Sequence, residues 1–239
     1  AISDSVASGG NSFAAVADAT ASATDSIAIG KAATASSAYA TAIGKNSSDQ
    51  GSVATSGTAA MALGGSYASG TDSFAAAIAN NTNSYGAQSA NSIAIGQLAK
   101  ASGTGSVAIG YGSDASNTHN IAIGYNSEAS TGTYNFAFGS GATANASYYA
   151  VAIGSDAGGN GSTAGGNGSF ATSGGVTAGN HAQALGKAYA SGADSFAAAI
   201  ANNTSSYGAQ GTSSIAMGHQ SKSTGNYAVA IGSAQATGS

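Results

Sequence analysis

The feature that most constrains this chain is a five-residue motif that returns along most of its length. The motif consists of Ser or Asn, a large apolar residue, Ala, a second large apolar residue and Gly, as in residues 106–110. Its closing glycines fall 14 residues apart between Gly96 and Gly124, and 15 apart between Gly124 and Gly154. Large and small residues alternate with period two, which is typical of a β-strand and not of a helix.

A second, shorter alternation follows each closing glycine. Small residues stand at the third and fifth positions after it, as in Ala33 and Ala35 or Ala99 and Ala101. One repeat of about 14 residues therefore predicts two short strands and two turns. A coil of this size cannot bury its apolar face alone, so it has to stack on its neighbours. We predict an all-β roll, or solenoid, that runs as one continuous repeat domain over residues 1–239.

The alternation also predicts which side chains lie inside the roll. We expect the large residues of the motif to fill the interior, and an aspartate at Ile123 to prevent folding or assembly because its charge would be buried unpaired. Two large residues per coil contribute roughly 1.5–3 kcal/mol each, against about 1–2 kcal/mol of backbone entropy per residue. This imbalance predicts lateral association. The expected core is Ile27, Ile29, Ile93, Ile95, Val107, Ile109, Ile121, Ile123, Val151, Ile153, Val229 and Ile231.

The repeat contains an internal duplication. The ten residues DSFAAAIANN occur at 72–81 and again at 194–203, and residues 64–96 match residues 186–218 at 25 of 33 positions. We interpret the block as a copied module in which Ala79 and Ala201 take the place of the closing glycine. Between the copies, a glycine-rich stretch at about residues 155–168 predicts a loop that protrudes from the roll.

Charge and composition exclude several classes of function. Charged residues make up 6% of the chain, and its five cations are scattered lysines, so a nucleic-acid-binding patch is not expected. The longest apolar runs have about six residues, far short of the roughly 20 that cross a bilayer, which argues against membrane insertion.

Motifs for catalysis are missing as well. The three histidines lie in different coils, no cysteine occurs, and neither a nucleophile elbow nor a phosphate-binding loop is present. We therefore expect no enzyme activity, no catalytic residue, no cofactor and no metal site.

Tyrosines are the most informative residues of the expected surface. Tyr111 and Tyr125 each follow a closing glycine directly, so we expect them to be the more exposed tyrosines and candidate ligand contacts. A second set stands five residues before the closing glycine, where it predicts an aromatic ladder, or alternatively a platform for a sugar or peptide. Its members are Tyr39, Tyr134, Tyr149 and Tyr227, with His119 at the equivalent position.

The motif closely resembles the head repeats of YadA-like trimeric autotransporter adhesins, which also occur in bacteriophage tail fibres. The resemblance implies a left-handed parallel β-roll, three chains packed side by side as a homotrimer, and a role in attachment. In such adhesins a repeated Asn-Ser-Val-Ala-Ile-Gly motif is tied to collagen binding. The nearest match here is residues 91–96, which makes Asn91 and Ser92 candidate ligand contacts.

These observations predict a non-enzymatic attachment segment on the outer surface of a cell or virion. Since both ends fall within the repeat, we expect the chain to be part of a longer fibre that contacts a host-surface glycan or matrix protein through its turns. The alternative is a purely structural filament or spacer without a specific ligand. An ice-binding solenoid would need a regular threonine column, but the fourth position after the glycine varies, as Thr34, Lys100 and Asp114 illustrate.

Overall fold

The computed structural model describes residues 2–77, 83–155, 159–198 and 205–238. Every regular element in these four ranges is a β-strand, and all pairing between the strands given below is parallel. The chain divides into two compact units, Ala1–Asn120 and Ile121–Ser239. Each unit is a parallel β-solenoid, which confirms the predicted all-β repeat fold.

The first unit alternates two-residue and three-residue strands. They are β1 (Val6–Ala7), β2 (Phe13–Ala15), β3 (Thr20–Ala21), β4 (Ile27–Ile29), β5 (Thr34–Ala35), β6 (Thr41–Ile43), β7 (Val53–Ala54), β8 (Met61–Leu63), β9 (Tyr67–Ala68), β10 (Phe74–Ala76), β11 (Gly86–Ala87), β12 (Ile93–Ile95), β13 (Lys100–Ala101), β14 (Val107–Ile109) and β15 (Asp114–Ala115). The odd-numbered strands form one sheet and the even-numbered strands another, each in chain order. One coil therefore contributes one strand to each sheet.

The second unit is built in the same way. Its three-residue strands are β16 (Ile121–Ile123), β17 (Phe136–Phe138), β19 (Val151–Ile153), β21 (Phe170–Thr172), β23 (Gln183–Leu185), β25 (Phe196–Ala198), β27 (Ile215–Met217) and β29 (Val229–Ile231). Its two-residue strands are β18 (Thr143–Ala144), β20 (Thr163–Ala164), β22 (Val176–Thr177), β24 (Tyr189–Ala190), β26 (Gly208–Ala209), β28 (Lys222–Ser223) and β30 (Gln235–Ala236). Each set again pairs in chain order.

Alanine fills the interior of both units, which reverses the predicted orientation of the strands. Ala94 and Ala152, the central residues of β12 and β19, are fully buried, and so are the alanines that pair with them on neighbouring coils. The two-residue strands also turn small residues inward, among them Ala35 and Ala101. Because small side chains face each other across the coil, the two sheets lie too close together to hold larger ones.

The predicted core of large residues is therefore wrong. Ile27, Val229 and Ile231 are exposed by 38%, 53% and 65%. The others are only partly buried on the outer face: Ile29, Ile93, Ile95, Val107, Ile109, Ile121, Ile123, Val151 and Ile153. Among the described residues, the largest fully buried side chains belong to Asn120, Asn135 and Thr177.

The side chain of the first residue of the motif points inward and stabilises the preceding turn by a hydrogen bond. The Ser26 hydroxyl donates to the carbonyl of Ala23 at 2.7 Å, and both residues belong to the same turn. Asn135 does the same with more bonds, since its amide donates to the carbonyls of Thr131 and Ala146 at 2.6 and 2.7 Å. These buried polar groups are thus paired, as their burial requires, whereas the buried hydroxyls of Ser73 and Ser106 have no hydrogen-bond partner among the described residues.

The turn before each three-residue strand places one residue at positive φ. This position lies five residues before the closing glycine, and φ is 56° at Asn91, 55° at His119 and 60° at Tyr39. The backbone N–H of the same residue donates to the preceding coil, from His119 to the Thr104 carbonyl at 2.9 Å for example. The turns therefore stack from coil to coil as the strands do. The side chains at this positive-φ position form an outward-facing column, the turn column.

The connection from the three-residue strand to the two-residue strand is lengthened in four coils. Two of these excursions, after β6 and β19, are closed by a bridge at the base, and the connections after β10 and β25 include residues outside the described ranges. Val53 follows Ile43 by ten positions, whereas Thr34 follows Ile29 by five. In the first excursion, residues 45–51, an antiparallel bridge joins Lys45 to Gly51 at the base. The next residue, Ser52, closes it, because its hydroxyl donates to the Ile43 carbonyl at 2.8 Å.

The second excursion, residues 155–161, corrects the boundary of the predicted glycine-rich loop. Ser155 and Gly161 form the equivalent antiparallel bridge, and the Ser162 hydroxyl donates to the Ile153 carbonyl at 2.8 Å. The chain then returns to the sheet in β20, which pairs with β18 and β22. The predicted loop at 155–168 therefore ends at Gly161, and its residues 156–158 lie outside the described ranges.

The described strands of the two duplicated copies pair alike. Phe74 pairs with Ile93 in the first unit, and Phe196 pairs with Ile215 in the second. This register gives the place of the closing glycine to Ala77, at a φ of 58°, two residues before the predicted position. The predicted residues, Ala79 and Ala201, lie outside the described ranges.

Candidate functional site

The outward turns carry most of the exposed tyrosines. Tyr111 and Tyr125 are exposed by 43% and 57%. The tyrosines of the turn column range from 48% at Tyr134 to 77% at Tyr227, and all of them except Tyr134 are more exposed than Tyr125. The expectation that Tyr111 and Tyr125 would be the more exposed set is therefore wrong, because the column position at positive φ also directs its side chain into solvent.

Asn91 and Ser92, the candidate ligand contacts in the hexapeptide 91–96, lie on opposite sides of the backbone. Asn91 is exposed at the turn. Ser92 is fully buried, and its hydroxyl donates to the Ser89 carbonyl at 2.6 Å. The period of two that turns Ala94 inward also turns Ser92 inward, so Ser92 is wrong as a ligand contact.

Three tyrosines of the second unit form a contiguous aromatic surface, the tyrosine cluster, made of Tyr134, Tyr148 and Tyr149. The rings of Tyr134 and Tyr149 stack with centroids 5.3 Å apart and planes 15° apart. Tyr148 stands beside Tyr149 with centroids 6.2 Å apart and a tilt of 37°. The predicted ladder is confirmed for the first pair, and Tyr148 adds a third ring that the column spacing did not predict.

The backbone under the cluster is firmly held. Thr133 and Tyr148 form a parallel bridge between successive coils, and the Tyr148 N–H donates to the Asn167 side-chain oxygen at 3.0 Å. The side-chain oxygen of Asn135 accepts from the Ala150 N–H at 2.8 Å. The coils that carry the cluster are each one residue longer than 14, and this extra residue lies in the bridged turn.

A charged group lies at the first excursion. Asp49 forms ion pairs with Lys31 and Lys45, which each follow the closing glycine of successive coils. Hydrogen bonds from Lys31, which has the larger effect, and from Lys45 lower the pKa of Asp49 from 3.8 to about 2. The same hydrogen bond raises the pKa of Lys31. All three side chains are solvent-exposed, so the group fastens the excursion to the roll and does not enclose a reactive centre.

Two of the three histidines, His119 and His181, belong to the turn column. The ring of His119 lies over Gly105, where a methyl group would come within 2.8 Å of its Cδ2 atom. His181 lies over Gly168 in the same way, and its Nδ1 is 3.2 Å from a carboxylate oxygen of Asp194. Across the four described ranges, no three His, Cys, Asp or Glu side chains come together as a metal-ligand group. Nor does any helix in these ranges have the length and apolar character needed to cross a membrane.

Short parallel coils, an alanine interior and stacked outward turns define this chain as a β-solenoid repeat protein. The family model for the YadA head domain repeat matches residues 21–47, 87–113 and 209–238. These three segments therefore match YadA-like head repeats, as the motif predicted. No curated protein matches the chain.

Proposed function

We propose that this chain is a non-enzymatic attachment segment of an extracellular fibre, on the surface of a cell or virion. Copies of it assemble side by side as a homotrimer, and the outward turns contact a host-surface glycan or a matrix protein. One observation carries this proposal: the large apolar residues of the repeat face outward, whereas the interior holds small side chains. The match to an adhesin head repeat supports it.

Rows of large apolar side chains run along the outer face of the three-residue strands in each unit. In the first unit Phe13, Ile27, Ile43 and Met61 are all exposed by 38–42%. In the second unit Phe138, Met217, Val229 and Ile231 are exposed by 40–65%. Contiguous exposed apolar surface of this kind marks an interaction site.

A second copy of the chain is the occupant that these rows fit best. Successive coils repeat at the strand spacing of about 4.8 Å, and another copy presents the same rows at the same spacing. Side chains from neighbouring chains can therefore interdigitate along the whole length of a unit. Each Å² of apolar surface covered in this way contributes about 25 cal/mol. The family resemblance supplies the number three.

The turns supply the irregular surface that recognition requires. The residue after the closing glycine changes from coil to coil, being Lys31, Lys45, Gln97, Tyr111 and Tyr125 at five of these positions. A regular backbone that carries variable outward side chains is the usual arrangement of a binding surface. We therefore assign ligand contact to the turns and chain–chain contact to the rows of large side chains.

Native mass and attachment test the two parts of the proposal separately. Light scattering at several concentrations should give three times the chain mass of 22.3 kDa, and a monomer would contradict the assembly. Labelled protein should bind host cells or matrix, and this binding should weaken when Tyr111 and Tyr125 are changed to serine. The matched control is Tyr39→Ser, which removes an equally exposed tyrosine in the first unit.

The alternative function is a structural filament or spacer. The low charge and the duplicated block favour it, because a spacer gains length by copying modules. A trimer that binds no cell, glycan or matrix preparation would identify a spacer. Binding that depends on the tyrosines would exclude that alternative.

A further inference from the structure

We propose that the tyrosine cluster, Tyr134, Tyr148 and Tyr149, binds a neutral oligosaccharide by packing a pyranose ring against its aromatic surface. The inference deepens the proposed attachment function and rests on it, since it names the ligand class for one outward turn. It depends on four properties of the cluster: its geometry, the anchoring of its backbone, the uncharged residues around it and the extra residue in each of its coils.

The geometry offers aromatic surface in two orientations. Tyr134 and Tyr149 are nearly parallel, whereas Tyr148 is tilted by 37° from Tyr149. All three rings remain about half-exposed or more, at 48%, 52% and 61% in chain order. A pyranose has one face of C–H groups and a rim of hydroxyls, so it can cover a ring while its rim stays hydrogen-bonded. Tyrosine suits this role because it combines a large apolar face with a polar tip.

The backbone that carries the rings is held in place before any ligand arrives. The Tyr148 backbone bridges to Thr133 and donates to the Asn167 side chain, and the Tyr149 N–H donates to the Thr133 carbonyl at 3.3 Å. Asn135 is fully buried below them and bonds to both turns. A preorganised surface loses less conformational entropy on binding, which favours the small contact area of a saccharide.

The charge distribution selects a neutral ligand. Residues 129–155 contain no Lys, Arg, His, Asp or Glu, and the carboxylate of the adjoining Glu128 accepts a hydrogen bond from the Ser130 hydroxyl. A sulfated or sialylated glycan would require a nearby cation, and a cationic peptide would require carboxylates. The exposed polar residues around the rings are instead Thr131, Asn145 and Ser147. Amide and hydroxyl groups beside tyrosine give adaptable hydrogen bonds to sugar hydroxyls.

A purely stabilising ladder explains only part of the arrangement. The stacked pair Tyr134 and Tyr149 falls in the turn column, but Tyr148 does not belong to it. Both coils carry one extra residue, and the bridge that this residue makes possible brings Tyr148 to the side of Tyr149. The extra residue thus serves to place a third exposed ring on the surface.

The experiment is a saturation-transfer NMR titration of the full chain with defined oligosaccharides. The probes are neutral gluco-, galacto- and N-acetylglucosamine oligomers, with sialylated and sulfated oligomers alongside. Saturation is expected on the ring protons of a neutral sugar. Tyr148→Ser and Tyr149→Ser should each weaken that binding about tenfold, the order expected for one stacked ring. Tyr39→Ser and Tyr227→Ser remove exposed tyrosines outside the cluster and should leave binding unchanged.

Three results would overturn the inference. They are no transfer to any neutral oligomer, binding that survives both cluster variants, or a fall in native mass of those variants, which would make the cluster a chain–chain contact. Circular dichroism of each variant establishes that it is folded.

Cell attachment separates this inference from the proposed function. Attachment that is undiminished in a Tyr148→Ser, Tyr149→Ser double variant would refute the saccharide site and leave the adhesin role intact. Wild-type chain that attaches to nothing would refute the adhesin role, whereas the titration would still decide the saccharide site.

Discussion

Enlarging one interior alanine should destabilise the solenoid more than changing its large neighbour. Ala152 is fully buried between Ala137 and Ala171 of the adjacent coils, which are fully buried too. Ala152→Leu adds a branched group to a close-packed interior. Such overpacking costs about 1–3 kcal/mol, and for a domain of about 100 residues each kcal/mol lowers Tm by about 4–8 °C. We therefore expect Tm to fall by roughly 5–20 °C.

The matched control is Ile153→Leu, the next residue of the same strand. Its side chain lies on the outer face, and the substitution conserves volume, so the expected cost is below about 1.5 kcal/mol. Both variants can be compared with wild type by thermal unfolding monitored at 218 nm, with urea titrations as a second measure. An unchanged Tm for Ala152→Leu, or a larger loss for Ile153→Leu, would refute the assignment of the strand faces.

Three further predictions concern the outer face, the charged group and one glycine of β11. Ile123→Asp should leave the single chain folded but lower its native mass in light scattering. An unfolded variant would show instead that Ile123 lies in the interior of the roll. Because folding lowers the pKa of Asp49 from 3.8 to about 2, its ion pairs stabilise the first excursion above about pH 4, and that contribution is lost as the pH falls towards 2. Carboxyl NMR should find this midpoint, and Lys31→Ala should raise it; no change would show that the pair does not persist in solution. Gly86→Ala should cost more than about 1 kcal/mol in urea unfolding, since φ is 94° and a methyl group would lie 2.1 Å from a backbone oxygen. Gly10→Ala meets nothing within 4 Å and should be nearly neutral.

The strands and their stacking could be predicted from the sequence, but the orientation of the strands could not. The alternation in residues 92–96 separates two faces of β12 without saying which one is inside. The deciding information lay in the second strand, where Ala99 and Ala101 are small and fully buried. Two inward rows of small residues can meet only when the large residues of the motif face outward.

The candidate site was predicted in part for similar reasons. Equal spacing from the closing glycine predicted the stack of Tyr134 on Tyr149, because a solenoid places equivalent positions above one another. Tyr148 joins them only through its bridge to Thr133, which depends on how the longer turns pack. Ser92 was wrongly predicted to contact a ligand because its match to a binding motif was given more weight than its position. It lies two residues before Ala94, so both side chains are on the same, inward face.

The alanine interior has a consequence for how such a chain changes over time. Since the buried side chains of most coils are nearly identical, no coil is shaped to accept one particular neighbour. Whole coils can therefore be gained, lost or exchanged by recombination without repacking a core. The same uniformity permits slippage between coils during folding, because a strand shifted by one repeat meets an equivalent partner. Bulky Asn135 and the serine-closed excursions interrupt this equivalence, so they define the alignment of the chain and limit where coils can be exchanged.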